Sequence, residues 1–326
     1  MSIDLYYRFD LFSKSLRIRM IEEKIASLYH EQEMRCPVHL SIGQEANAVT
    51  ICDSLNKNDY MVSTHRGHAH YLAKGGSLDG LLGELYGKSV GCSGGNGGSM
   101  HLTDHSVGFL GSTSIVGGTI PIGVGAAFSA KLKKQKRISV ICIGDAAIEE
   151  GVFHECANFA ALHHLPVIFF MENNNYSCFT SRKDRQPKRD KEFRSVAEAH
   201  GMDYIKITWE NFYSGHRNLQ NVIKYFRECN EKTPIFVECE AYRFVEHCGP
   251  NDDDNLLYRP AAEIEHAKKN DPIIKMELYL RGAGFLDDKL LLKLKTEIEI
   301  DIEICLAKVR CSYYPMPKEL GEYIYA

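Results

Sequence analysis

The chain has 326 residues, 44% hydrophobic and 25% charged, with a formal net charge of −4. Such totals suit one large α/β domain or two modest ones with ample core, and give no basis for nucleic acid or a membrane surface as partner. No apolar run is long enough to span a bilayer, and the opening MSIDLYYRFD lacks a signal peptide's basic-then-apolar layout, so a cytoplasmic location is expected.

In chain order, residues 5–34 carry helical periodicity through Leu11, Leu16, Ile18, Met20, Ile21, Ile25, Leu28 and Tyr29. A loop with Pro37 precedes a second helical pattern over 44–55. Residues 75–98 are rich in glycine, which predicts a loop that permits close backbone approach. From Gly117 onward, helices and strands alternate. Helices are predicted over 120–132 and 149–164, and buried strands over 137–143, 167–171 and 235–240. After about residue 260 the chain turns charged and helical. Continuous apolar strands between helices imply a doubly wound parallel sheet covered on both faces. The expected division is an N-terminal helical segment (1–60), an α/β core (61–260) and a C-terminal helical segment with its tail (261–326), in one structural domain overall. The eleven scattered cysteines, none at C-x-x-C spacing, read as free thiols.

One stretch asks for an explanation: the run ICIGD ends in Asp145, and VIFFMENNN, one helix later, ends in three asparagines, of which Asn173 and Asn174 follow the strand end. A right-handed crossover brings both strand ends to the same sheet edge, where open α/β folds bind ligands. A carboxylate and an amide oxygen there are hard ligands for Mg²⁺ or Ca²⁺. Spacing alone equally allows a helix cap at Asp145 and a turn at the asparagines. Three further clusters bear on the choice: STHRGHAHYLAKGG, with His65, Arg66, His68 and His70; the glycine-rich GSTSIVGGTIPIGVGAA; and YRFVEHCGPNDDD, which brings His247 to the same edge. Together they describe a diphosphate site with acid–base chemistry beside it.

GDAAIEEG, then ECANFA, LP and ENNNY, resembles the thiamine-diphosphate motif. With HLSIGQEA, HRGHAHYLAKGG, GGNGGSMH, SIVGGTIPIGVGAA and YRFVEHCGP, the chain resembles the α subunit of the 2-oxoacid dehydrogenase first component, the group of pyruvate, acetoin and branched-chain dehydrogenases. The resemblance runs from about Tyr7 to the PMPKEL tail. It implies thiamine diphosphate and Mg²⁺ as cofactors, with Asp145, Asn174 and the carbonyl of Tyr176 as metal ligands. Arg66 and the backbone around Gly144, Ala146 and Ala147 would hold the diphosphate. Ser114 and Val116 would hold the aminopyrimidine ring, and His247 would stand beside the reacting carbon, with His65 and His68 as further acid–base candidates. It also implies a β subunit, in an α2β2 tetramer, that supplies the activating glutamate, and a lipoyl carrier as acceptor.

The chain departs from that pattern at Ala146, where the motif usually has glycine, and at His65, where the family often has tyrosine. The basic segment 181–194 reads either as a solvated loop or as an anion clamp. Three other signals are weak. His65, His68 and His70 lack the spacing of a zinc motif; GELYGKS is one residue short of a P-loop; and GVGAAF lacks the third glycine of a nicotinamide fingerprint. A non-catalytic scaffolding subunit, and a biosynthetic two-carbon transferase without a lipoyl acceptor, are the competing functions.

Overall fold

The computed structural model describes residues 3–186, 193–210, 212–229 and 232–316. Helix α1 (Ile3–Leu28) leads into α2 (Glu45–Asp53), strand β1 (Tyr60–Ser63), α3 (His68–Lys74), α4 (Leu78–Leu85), β2 (Phe109–Ser112) and α5 (Ile120–Leu132). Then come β3 (Ser139–Gly144), α6 (Gly151–Leu162), β4 (Val167–Asn173) and a two-rung hairpin, β5 (Tyr176–Ser177) with β6 (Thr180–Ser181). The chain continues through α7 (Arg182–Arg185), α8 (Phe193–Ala199), β7 (Asp203–Ile207), α9 (Phe212–Glu228) and β8 (Ile235–Glu240). Helices α10 (Ala261–Lys269), α11 (Pro272–Gly282) and α12 (Asp288–Arg310) follow.

Six parallel strands form one sheet in the order β2-β1-β3-β4-β8-β7. All seven residues of β4 are buried, because each face of the sheet is covered. The period-two alternation sorts them. Val140, Cys142, Ile168 and Phe170 join one apolar cluster, which takes in Leu11 and Phe12 of α1 and Leu306 and Val309 of α12. Ile141, Ile143, Phe169 and Met171 join the other, against α5 and α6. The first cluster thus draws on all three of the expected segments. Gly123 lets α5 lie close on the sheet, since a Cβ there would stand 2.5 Å from Ile141 Cγ1. That glycine is a packing device, which disposes of the nicotinamide fingerprint.

The sheet is the expected one, with corrections in detail. The first helix stops at Leu28 rather than 34, and a helix, α4, occupies part of the stretch expected as loop. Strands β1, β2 and β7, and helices α3, α8 and α9, were not anticipated. Among the described residues no helix is long and apolar enough to cross a membrane.

Candidate active site

Because the strands are parallel, their C-terminal ends share one edge, and a cavity of about 270 Å³ opens there. Thr64, His65 and Arg66 follow β1; Gly144, Asp145, Ala146 and Ala147 lie at and after the end of β3; Glu172 and Asn174 stand at the end of β4; and Arg243 and His247 follow β8. Ser114 and Val116 line it from the loop before α5, and Tyr176 from β5.

On the β3–β4 side the cavity offers oxygen. Gly144 pairs in register with Glu172, so Asp145 and Asn174 emerge just beyond the paired ends of adjacent strands. Asp145 makes no helix-capping hydrogen bond. Burial pushes its carboxyl up to about 6, against the pull of the Arg185 guanidinium, whose Nη2 stands 2.5 Å from Oδ2. The three asparagines divide their labour. Asn173 donates to Glu238 Oε1 at 3.0 Å and accepts the N–H of Asn175 at 3.1 Å, pinning β4 to β8. Asn174 Oδ1 accepts the N–H of Tyr176 at 2.9 Å, and Asn175 takes the left-handed turn with φ of 63°. The turn reading is therefore right for the asparagines, yet an amide oxygen has a second lone pair, and that of Asn174 remains for a metal. A buried carboxylate, an amide oxygen and a backbone carbonyl fit Mg²⁺, and the cation already seated on Asp145 shows which sign of charge that carboxylate attracts.

On the β1–β8 side the cavity offers nitrogen. The rings of His39, His65 and His247 meet edge-to-face or tilted, with centroids 4.9 to 5.4 Å apart. Burial, then the nearby Arg66 guanidinium, hold all three neutral, pushed down to about 3 for His39 and His65 and about 4 for His247. Arg243 donates to His247 Nδ1 at 3.4 Å, which leaves that ring's proton on Nε2. The ligand nitrogens of the three rings lie within 4.8 Å of one another, close enough to suggest a metal. Two guanidiniums facing them oppose a cation, and His247 Nδ1 is turned to a donor, so the cluster suits a carbonyl or an anion. Arg66 itself donates to Leu40 O at 2.7 Å and His247 O at 3.0 Å, which ties the two flanking loops together. Burial, and then the neighbouring Arg243, push it down to about 9. Among the described residues no carboxylate pairs with it in an ion pair. Glu172, nearby, is pushed up to about 8 by burial, so it stays protonated at neutral pH and does not neutralise Arg66. An anion such as a diphosphate would.

His68 does not line the cavity. It is fully buried behind it, with Nδ1 2.7 Å from Glu22 Oε1 and Nε2 2.8 Å from Ser99 Oγ. Glu22 also accepts the N–H of Ser41, and Ser99 Oγ that of His39, so His68 braces the loop carrying His39. His70 likewise turns inward, to Ser63 Oγ at 3.0 Å, which removes the zinc triplet. The glycine-rich loop 91–98 is closed upon itself. The Glu84 carboxylate accepts the N–H groups of Ser93, Gly95, Gly97 and Gly98, so none of these four is free for a phosphate. His39, Gln44, Thr64, Glu172 and Arg243 line the cavity without having been singled out from sequence. His39 and Gln44 stand inside the quoted HLSIGQEA, which was the available signal.

The family described as dehydrogenase E1 component matches residues 13–318. The α subunit of acetoin:2,6-dichlorophenolindophenol oxidoreductase from Bacillus subtilis (strain 168) is 34% identical, over 97% of this chain and 92% of its own length. This chain belongs to the dehydrogenase E1 component family. The α subunit of the pyruvate dehydrogenase E1 component from Rickettsia bellii (strain RML369-C) is 32% identical, over 96% of this chain and 94% of its own. A transketolase from Campylobacter jejuni subsp. jejuni NCTC 11168 shares the fold, with a TM-score of 0.57 at 17% identity; this chain aligns over 99% of its length and spans half of that chain.

Against that E1 background, the alanine at 146 is accommodated. Ala146 is not among the residues with positive φ, so its methyl imposes no backbone strain. A Cβ at Gly144 would meet nothing within 4 Å, which leaves that backbone open at the cavity. The basic segment is visible through Gln186; residues 187–192, and the end of the tail from 317, lie outside the described residues.

Proposed function

We propose that this chain is the α subunit of a thiamine-diphosphate- and Mg²⁺-dependent enzyme. It decarboxylates a 2-oxoacid, or cleaves an acetoin-like ketone, and passes the acyl group to a lipoyl carrier within an α2β2 assembly. One observation carries the reading. A single cavity at the C-terminal strand ends gathers Asp145, Asn174 and Tyr176 on one side and Arg66 and His247 on the other. When bound, thiamine diphosphate supplies a carbon nucleophile for the ketone and an electron sink for the departing fragment.

The chain's own residues do the rest. Asp145, Asn174 and the Tyr176 carbonyl would hold the metal, and Arg66 with the backbone at Gly144, Ala146 and Ala147 would hold the diphosphate. Ser114 and Val116 would seat the aminopyrimidine ring. His247, neutral with its proton on Nε2, donates a hydrogen bond from that N–H to a substrate oxygen and so stabilises charge developing there, and the neutral rings of His39 and His65 complete a polar wall. His68 positions this wall from behind.

A β chain supplies the activating glutamate. Among the described residues the cavity is lined by two carboxyl side chains: Asp145 is assigned to the metal, and Glu172, pushed up to about 8 by burial, is protonated at neutral pH, so neither suits that role. At the cavity mouth Ile115 and Val116 are 68% and 49% exposed, an apolar lip that a partner would cover. The free thiols suit the reducing cytoplasm. Turnover of 2-oxoacids and acetoin, followed with an artificial electron acceptor, tests the proposal. The chain with its β partner should be active in the presence of thiamine diphosphate and Mg²⁺, and the chain by itself inactive; substantial turnover by the pure chain contradicts the shared site.

A further inference from the structure

One contact at the cavity has no part in the function proposed above. Arg185, the last residue of α7, reaches back to the strand ends and sets Nη2 2.5 Å from Asp145 Oδ2, while Nη1 meets Glu149 Oε1. Its Nε donates to Thr180 O at 3.4 Å, and the adjoining Gln186 donates to the same Glu149 oxygen at 3.1 Å. The side chains of Asp145 and Arg185 are 2% and 11% exposed, so water screens this pair poorly. The carboxylate that would grip a divalent ion is thus already gripping a cation of the chain's own.

A guanidinium and a divalent ion cannot both sit against one carboxylate oxygen without close repulsion between like charges. We propose that Arg185 is a built-in competitor for the metal: it neutralises Asp145 in the unloaded chain and must be displaced before the ion binds. The inference rests on Asp145 being a metal ligand. Two features of the fold support displacement over permanent pairing. Arg185 has a second anchor, since Glu149 is 33% exposed and retains the guanidinium once Asp145 is surrendered. The competitor also sits on the same short segment as a metal oxygen. Tyr176 begins the β5–β6 hairpin, α7 follows that hairpin directly, and the N–H of Arg182 is held by Asn175 O at 2.8 Å. Metal entry therefore has to move Arg185 against a segment that also presents the Tyr176 carbonyl, which couples loading to the position of α7. Neutralisation also answers the cost of leaving a buried carboxylate bare before loading.

The consequence is an affinity for metal set below what the oxygen donors alone would give. Binding of Mn²⁺ in the presence of thiamine diphosphate, read from the electron-paramagnetic resonance of the free ion, tests this on the full chain. Arg185→Gln should bind Mn²⁺ about tenfold more tightly than the unaltered chain, which corresponds to about 1.4 kcal/mol. Arg185→Lys, which keeps the charge and loses the two-pronged grip, should fall between the two and guards against a folding artefact. Equal or weaker binding by Arg185→Gln overturns the proposal and, if weaker, makes Arg185 a ligand to the phosphates instead. Asp145→Asn separates this from the underlying assignment. If it binds Mn²⁺ as well as the unaltered chain does, Asp145 is no metal ligand and both readings fail together. If it alone loses the ion while Arg185→Gln is unchanged, the site stands and the competitor does not.

Discussion

At the β3–β4 end of the cavity a buried carboxylate is held by a guanidinium, whereas at the β1–β8 end three neutral imidazoles face Arg66, which among the described residues has no carboxylate ion-pair partner. The first end is poised for a cation and the second for an anion or a carbonyl. Between them lies the space for a group that carries metal on one side and negative charge on the other, which is what a metal-bound diphosphate is. The contrast also shows how poorly residue type predicts role. His65 and His68 are three positions apart, yet one lines the cavity against the rings of His39 and His247 and the other is spent on Glu22 and Ser99.

The division between the two ends can be broken most sharply at His247. His247→Ala should lower kcat of the assembled enzyme about 10²- to 10³-fold, as expected for loss of a preorganised hydrogen-bond donor, with cofactor affinity changed by less than about threefold. Steady-state kinetics beside calorimetric titration of thiamine diphosphate would show it; a collapse of cofactor affinity would mean that the two ends do not act separately.

Next in size is the contrast between the lining and the bracing histidines. Glu22→Ala strips the buried partner from His68 and leaves the Ser41 N–H unpaired, so it should cost about 3–5 kcal/mol of stability in denaturant unfolding. His65→Gln should cost under about 1 kcal/mol at pH 7.5, because among the described residues the ring makes no comparable bond. Near-equal losses would erase the distinction.

The smallest effect concerns pH. His65 is pushed down to about 3 in the folded chain, while the unfolded chain takes up that proton near 6.5. The unfolded state therefore binds more protons between those values, and the stability linked to this residue is full above 6.5 and lost as pH falls. Removing the ring in His65→Gln should shift the stability difference toward the variant by about 1.4 kcal/mol per pH unit below 6.5. Parallel unfolding curves from pH 7.5 to 5.5 would show it, and a constant difference would place a charged imidazole in the cavity.

The sheet centre was legible in the sequence where an element is long and its boundaries chemically marked. Helix 120–132 and strand 235–240 have the expected limits, the helix beginning with Pro121 in its first turn. Strands β1 and β2 have four residues each, too few to show a period, and depend on parallel partners for their existence. Helix α4 hid behind Gly80 and Gly83. Burial of Leu81, Leu82 and Leu85 overrides the low helix propensity of the two glycines, and a Cβ at Gly83 would stand 2.7 Å from the Gly91 backbone. In the site, residues within contiguous motifs were readable, whereas Arg243 and Glu172 gain their place from the fold's edge and obey no spacing rule. His68 is the opposite case: the dense histidine cluster is not one functional unit, because a strand end and a helix divide it.

The central claim is that oxygen donors at the ends of β3 and β4 grip a divalent ion that anchors thiamine diphosphate. Calorimetric titration of thiamine diphosphate into the chain assembled with its β partner, with and without Mg²⁺, addresses it for the unaltered chain and for Asp145→Ala. Stoichiometric binding that requires Mg²⁺ and disappears in Asp145→Ala is the predicted result. Binding that is indifferent to Mg²⁺, or that survives Asp145→Ala with unchanged affinity, would contradict it.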